Sequence, residues 1–271
     1  MIELRSEFLL LSAGVVWGLT FPVMKIALAD LSTFQFLMLR FSIALPIIAA
    51  LRRTPKIDVL SALVGLISFL GMVLQVTGLR YTTATNSGFI TGMYVVFTPV
   101  VSYILLGRRP PARLAISLPL SLIGLALITN YRFEGVNIGD LLTLLSSILW
   151  SIQIVLIGIC ASRTDPLSLA FIQSLIIALM SSPIALIQGP FDISASALTA
   201  LLYTSIFGTV YGLWAQAKGQ RDVSPEIAAF AYLLEPVTSA LSSYLLLGEV
   251  MSTEGLFGSL AILLSIAITM K

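Results

Sequence analysis

Runs of about twenty apolar residues, cut by short clusters of charge, glycine and proline, fill this chain of 271 residues from end to end. A helix that crosses the hydrocarbon core of a bilayer needs about 20 mostly apolar residues. Ten runs meet that length: 8–29, 33–51, 57–79, 84–106, 112–130, 139–161, 166–187, 195–218, 224–247 and 253–270. The connectors are short, among them Ala-Asp-Leu-Ser at 29–32, Arg-Arg-Thr-Pro at 52–55 and Arg-Arg-Pro-Pro at 108–111; only 188–194, with Gly189-Pro190, is looser. No soluble domain is expected between them. The run from Phe8 to Leu28 is long, follows a single basic residue, Arg5, and lacks an Ala-x-Ala site, so it reads as a first span rather than a cleaved leader.

Polar residues inside these runs carry the next layer of information. In the ninth run a carboxylate is followed by proline, Glu235-Pro236. A charge at bilayer depth costs roughly 2.5 to 3.5 kcal/mol even on lenient insertion scales, and the proline removes a backbone donor that lipid cannot replace. Such a pair is tolerated where it faces a cavity or a partner helix, so Glu235 is the leading functional candidate; its bland role is to cap backbone freed by Pro236. Tyr232 lies one turn earlier, and Thr238, Ser239 and Ser242 continue a polar face at helical spacing. The fourth run has a matching stripe in Ser87, Thr91, Tyr94, Thr98 and Ser102, with Pro99 inside it. Ser68, Gly71 and Gln75 in the third run, and Thr209, Gly212 and Gln216 in the eighth, extend the set, and Trp17, Thr20, Trp150 and Gln153 join from the first and sixth. The stripes are expected to converge on an interior cavity. Single serines and threonines have a bland alternative, bonding their own backbone or a neighbouring helix. Arg40 is a second anomaly, inside the second run. It either snorkels, pairs with a carboxylate such as Glu235, or binds an anionic group of a substrate. Trp17 and Trp150 sit deep in their runs, away from the usual interfacial belt. Pro22, Pro46, Pro99, Pro119, Pro183 and Pro236 mark places where helices can bend, and the GxxxG spacings at Gly14/Gly18, Gly88/Gly92 and Gly208/Gly212 favour close helix approach inside the fold.

Composition agrees with lipid as the solvent. Hydrophobic residues make up 58% and charged residues 10%, against about 45–50% and 25% in soluble domains. The net charge of +2 and the lack of a basic stripe give no reason to expect a nucleic-acid partner. One cysteine, Cys160, excludes a disulfide framework, and the absence of histidine removes the commonest metal ligand and proton shuttle. No cofactor and no metal is expected, no nucleophile–base set argues for an enzyme, and no Walker-type loop links the chain to ATP. Sorting Lys and Arg by side puts Arg5, Arg52, Arg53, Lys56, Arg108, Arg109, Arg113, Arg163, Lys218, Arg221 and Lys271 with the two termini, against Lys25, Arg80 and Arg132 on the other side. That bias predicts cytoplasmic termini for a multi-pass protein of the cell membrane.

The two halves are related. At an offset of 141 residues Gly71, Gln75, Gly78 and Arg80 meet Gly212, Gln216, Gly219 and Arg221, and Ser-Tyr-Ile-Leu-Leu-Gly at 102–107 meets Ser-Tyr-Leu-Leu-Leu-Gly at 243–248. At an offset of 133, Trp17 meets Trp150 and Arg40 meets Gln173. Five spans per copy is an odd number, so the second copy enters the membrane upside down. The expected fold is an all-α integral membrane protein of ten transmembrane helices in two inverted five-helix repeats, residues 1–132 and 133–271. Inverted repeats of this kind build alternating-access carriers with a site near the midplane.

Trp17-Gly18-x-x-Phe21, Leu-Arg-Tyr-Thr-Thr-Ala at 79–84, and Leu-Glu-Pro-Val with Leu-Leu-Gly-Glu (234–237, 246–249) make the chain resemble the EamA-type members of the drug/metabolite transporter superfamily, over nearly its whole length. The first copy departs with Gly-Arg-Arg at 107–109 and with Tyr94 opposite Glu235. The resemblance implies a secondary carrier exporting amino acids or related small polar solutes, with the lipid bilayer and a small-molecule substrate as partners. Candidate substrate-binding residues are Glu235, Tyr232, Tyr94, Thr91, Gln75, Gln216, Trp17, Trp150 and Arg40. Three points stay open at this level: whether a proton on Glu235 is a coupling ion or the carrier works by exchange or facilitated diffusion; whether the chain acts as monomer or homodimer; and whether it is instead a nucleotide-sugar or other metabolite exchanger, or a channel.

Overall fold

The computed structural model describes residues 2–51, 58–107, 109–129, 137–250 and 252–270. Arg52, Arg53, Lys56, Arg108, Arg132 and Lys271, which entered the charge argument, and the 132/133 boundary lie outside the described residues. Every regular element among the described residues is helical: α1 (Ile2–Ala27), α2 (Thr33–Leu51), α3 (Val59–Leu79), α4 (Ala84–Thr91), α5 (Tyr94–Leu106), α6 (Leu114–Thr129), α7 (Ile138–Ala161), α8 (Pro166–Ile187), α9 (Ala195–Tyr203), a π-helical segment (Thr204–Tyr211), α10 (Gly212–Gly219), α11 (Pro225–Tyr232), α12 (Leu234–Leu247) and α13 (Thr253–Thr269). Taken as continuous rods, eight of these stretches are long and apolar enough to cross a membrane; α6 and α13 are shorter apolar helices. The outer faces are apolar, with Ile104, Leu245 and Leu264 exposed, as lipid requires.

Three expected spans differ from simple helices. The fourth is broken at Gly92–Met93 and the ninth at Leu233. Helices run through Pro22, Pro46, Pro99, Pro119 and Pro183 without interruption. Pro236 instead falls in the first turn of α12, where its missing N–H would have had no intrahelical acceptor. The break therefore sits before Glu235 and leaves that carboxylate in the first turn of a helix, the end whose dipole favours negative charge. The third difference is the π-helical segment in the middle of the eighth span. Such wide turns are rare and concentrate at functional positions.

α1 packs on α11 and α12 without room to spare. A Cβ on Gly18 would stand 2.5 Å from the Glu235 carbonyl oxygen and 1.7 Å from Thr238 Oγ1. The GxxxG spacing of α1 thus serves close approach within the bundle, as its sequence suggested.

The two ends of the bundle are closed by matching contacts. At one end Arg80 Nη1 donates to the carbonyls of Leu28 (3.3 Å) and Leu31 (2.8 Å). At the other, Arg221 Nε and Nη2 donate to those of Ala161 (2.8 Å) and Thr164 (3.2 Å). Glu249 accepts from the Ala84 and Thr85 amides and the Thr85 hydroxyl, capping α4. Asp58 caps α3 through Ser61 and also accepts from Thr164. Partial burial pushes the Asp58 carboxyl up, but the bonds from Ser61 and Thr164 outweigh it and hold it below the usual carboxylate range.

Candidate functional site

The polar stripes meet in one cavity enclosing about 610 Å³ of free space, its mouth included. α1 supplies Trp17, Thr20, Phe21 and Met24, α2 Arg40 and Phe41, and α3 Met72 and Gln75. Thr91 and Tyr94 flank the break between α4 and α5, just as Tyr232 and Glu235 flank the break between α11 and α12. α7 contributes Trp150, Gln153 and Ile154, the π-helical segment Gly208 and Thr209, and α10 Leu213 and Gln216. All nine sequence candidates line this one cavity: Glu235, Tyr232, Tyr94, Thr91, Gln75, Gln216, Trp17, Trp150 and Arg40. The breaks explain part of the convergence, because an interrupted helix can turn its terminal residues inward.

Two ionisable side chains are buried here, Arg40 at 1% exposure and Glu235 at 7%. They are held by different partners rather than by each other, which corrects the suggestion that they pair. Tyr94 Oη donates to Glu235 Oε2 at 2.8 Å. Arg40 Nε donates to Thr209 Oγ1 at 2.9 Å, and Nη1 lies 3.4 Å from the Met24 sulfur. The guanidinium carbon stands 5.3 Å from the Phe41 ring centroid and 6.0 Å from that of Phe36, within cation–π range. None of these partners of Arg40 carries a formal charge. A buried ion without a counter-ion is costly, so a ligand bringing an anionic group to Arg40 and a cationic group to Glu235 would relieve both.

Around the charges the walls are amides and rings. Gln75 Nε2 donates to Thr91 Oγ1 at 3.0 Å. Gln153 and Gln216 exchange amide bonds of 3.1 and 3.0 Å, and Gln153 also reaches Gln173, which accepts from Ser68. Trp17 packs on Tyr232 with ring centroids 5.2 Å apart, and its Nε1 donates to the Gly208 carbonyl at 2.8 Å.

Several stripe members took the bland role instead. The hydroxyls of Thr98, Thr238 and Ser242 bond carbonyls of their own helix, and Ser239 bonds the Ala84 carbonyl across to α4. The residues missed by sequence reasoning are the apolar wall: Met24, Phe41, Met72, Ile154 and Leu213. In an apolar run they have no contrast. Their one available signal was position, since Met72 and Leu213 each lie three residues before a candidate glutamine, and Phe41 and Ile154 each adjoin a polar lining residue.

Known proteins place this architecture. A protein of Archaeoglobus fulgidus named an uncharacterized transporter is 34% identical over 268 residues, covering 98% of this chain and 86% of its own. A Salmonella typhimurium protein named "Probable amino-acid metabolite efflux pump" is 27% identical over 282 residues, covering 96% of this chain and 92% of its own. A solved crystal structure at 16% identity superposes with a TM-score of 0.77 over 97% of this chain and 96% of that one, which establishes likeness of fold. Residues 4–130 and 137–271 both match the model of the EamA-like transporter family, so this multi-pass membrane chain, with a polar cavity lined by all nine candidates, belongs to that family of transporters.

Proposed function

We propose that the chain is a secondary carrier that exports an amino acid or a closely related small zwitterion by alternating access. The observation that carries this reading is that Arg40 and Glu235 line one buried cavity unpaired with each other, each held by neutral partners. A zwitterion presents a carboxylate and an ammonium to such a cavity, and aromatic and methionine side chains fill the rest. Arg40 is the only basic residue of the lining among the described residues, too little positive charge for a diphosphate-bearing cargo. The name of the Salmonella relative supports the cargo class and the outward direction.

The scaffold of the proposed mechanism is ten spans in two inverted repeats, 1–132 and 133–271, with both termini in the cytoplasm of a cell whose plasma membrane it crosses. Support comes from contacts that repeat with the sequence offsets. Arg80 to Leu28 and Leu31 becomes Arg221 to Ala161 and Thr164, shifted by 141 for the donor and 133 for each acceptor, at the opposite end of the bundle. Arg40 with Thr209 likewise becomes Gln173 with Ser68. Tyr94 and Glu235, which occupy the same position in the two copies, bond one another, as residues on a pseudo-two-fold axis would. The family model's separate matches to 4–130 and 137–271 point the same way.

A thermal-shift screen of the purified protein against amino acids, polyamines, sugars and nucleosides tests the cargo class. Bound ligand stabilises by mass action, about 2.7 kcal/mol at a hundred times Kd. A melting temperature raised by amino acids and unmoved by the other classes is expected; a rise with sugars or nucleosides alone would contradict the proposal.

A further inference from the structure

The two halves of the bundle differ in how they meet the two paired tryptophans of the cavity lining. In the second half, the Gly212 amide donates to Phe207 O and Thr209 O rather than to Gly208 O, because the segment is π-helical. Gly208 O instead accepts from Trp17 Nε1 at 2.8 Å. The counterpart of Trp17, at the offset of 133, is Trp150, and the counterpart of Gly208, at the offset of 141, is Ile67 in α3 of the first half. There α3 is an unbroken α-helix, in which each carbonyl is taken by the amide four residues on. Trp150 Nε1 is buried and has no hydrogen-bond partner among the described residues.

Packing repeats the asymmetry independently. A Cβ on Gly212 would stand 2.3 Å from Trp17 Nε1, whereas one on the matching Gly71 would be 3.4 Å from Trp150 Cε2. One indole is pressed onto its glycine and bonded; the other stands farther from its glycine and is unbonded.

We infer that Trp17 and Trp150 are paired positioning residues that exchange these two conditions during the transport cycle. In the opposite access state α3 takes up the wide turn, Trp150 Nε1 donates to the Ile67 carbonyl, and Gly71 receives the tight contact. At the same time the Thr204–Tyr211 segment tightens into α-helix and releases Trp17. The unpartnered indole N–H disfavours the present state, and its satisfaction in the other state offsets the loss at Trp17, so the two conformers stay close in free energy as a carrier needs. The inference rests on the inverted-repeat carrier proposed above.

The test is an amide-indole ¹⁵N spectrum of the full-length protein in nanodiscs, where three tryptophans give three indole signals, assigned by single Trp→Phe substitutions. Gly212→Ala is expected to push Trp17 off and to raise the population with a hydrogen-bonded Trp150 N–H by ~5-fold, the worth of one typical hydrogen bond. Gly71→Ala, which blocks the tight contact in the other state, is expected to hold Trp17 bonded and Trp150 free. Trp17→Phe and Trp150→Phe carry the same two predictions should a glycine variant fail to fold. The inference is overturned if Gly212→Ala leaves the Trp150 signal unmoved, or if both glycine variants drive the indoles the same way. The signals need no cargo, so failure here with counterflow intact leaves the carrier reading standing, whereas loss of counterflow in the unmodified protein would strike the carrier reading itself.

Discussion

Among the described residues Glu235 has one side-chain donor, Tyr94 Oη, and the two illustrate what a single residue can decide in this bundle. A hydrogen bond contributes about 0.5–1.5 kcal/mol, and more where the acceptor is charged, so Tyr94→Phe is expected to lower the melting temperature in detergent and to weaken cargo binding. Glu235→Gln keeps an acceptor for Tyr94 and removes the charge; it should retain most of the stability while losing the ammonium partner. Thermal melts of the two variants separate these effects, and equal melting temperatures with equal cargo affinities would contradict them. Glu235 and Arg40 were legible in the sequence because a charge in an apolar run is conspicuous. Their partners were not. Thr209 lies 169 residues from Arg40, and nothing local distinguishes it from the threonines that bond their own helix.

At the scale of the element, the apolar runs gave the helices and most of their limits, since bilayer thickness dictates length whatever the packing. The breaks at Gly92–Met93 and Leu233, and the π-helical segment, escaped because hydrophobic runs read the same through an interruption of one turn. Prolines do not mark the breaks: five of them lie inside continuous helices, where the lost backbone donor is accommodated locally. Close helix contact is the sharper constraint. Gly18→Ala would drive a methyl group into the Glu235 carbonyl, 2.5 Å away, so it should either abolish folded protein or separate α1 from α12 and eliminate transport; size-exclusion profiles and transport assays decide. Near the membrane surface, Asp58 links the start of α3 to Thr164. Its carboxyl titrates below the usual range, so its stabilising share is present at neutral pH and is lost as pH falls through the folded-state value. Asp58→Ala should lower stability by about 1 kcal/mol, the usual worth of such a cap, and should flatten the acid limb of the melting-temperature curve.

For the whole molecule the repeat was the most informative thing the sequence held, because glycine, glutamine, arginine and tryptophan recur in register where leucine would coincide by chance. Its consequence is that equivalent changes should act at opposite ends. Arg80→Ala and Arg221→Ala remove matched loop contacts, and hydrogen exchange should show local loosening around residues 28–31 in the first and 161–164 in the second, with the other end unchanged. The polar site, by contrast, is not symmetric: Tyr94 faces Glu235, and Gln173 stands where the other half has Arg40. On the inverted-repeat scaffold proposed above, an asymmetric pair of ionisable groups suits a cargo whose two ends differ. The most direct test is counterflow in proteoliposomes loaded with the amino acid that gives the largest thermal shift. The account predicts saturable uptake of the labelled amino acid that is stimulated by unlabelled cargo inside, and its loss in both Arg40→Gln and Glu235→Gln. Uptake that is unsaturable and indifferent to internal cargo, or that survives unchanged in both variants, would contradict it.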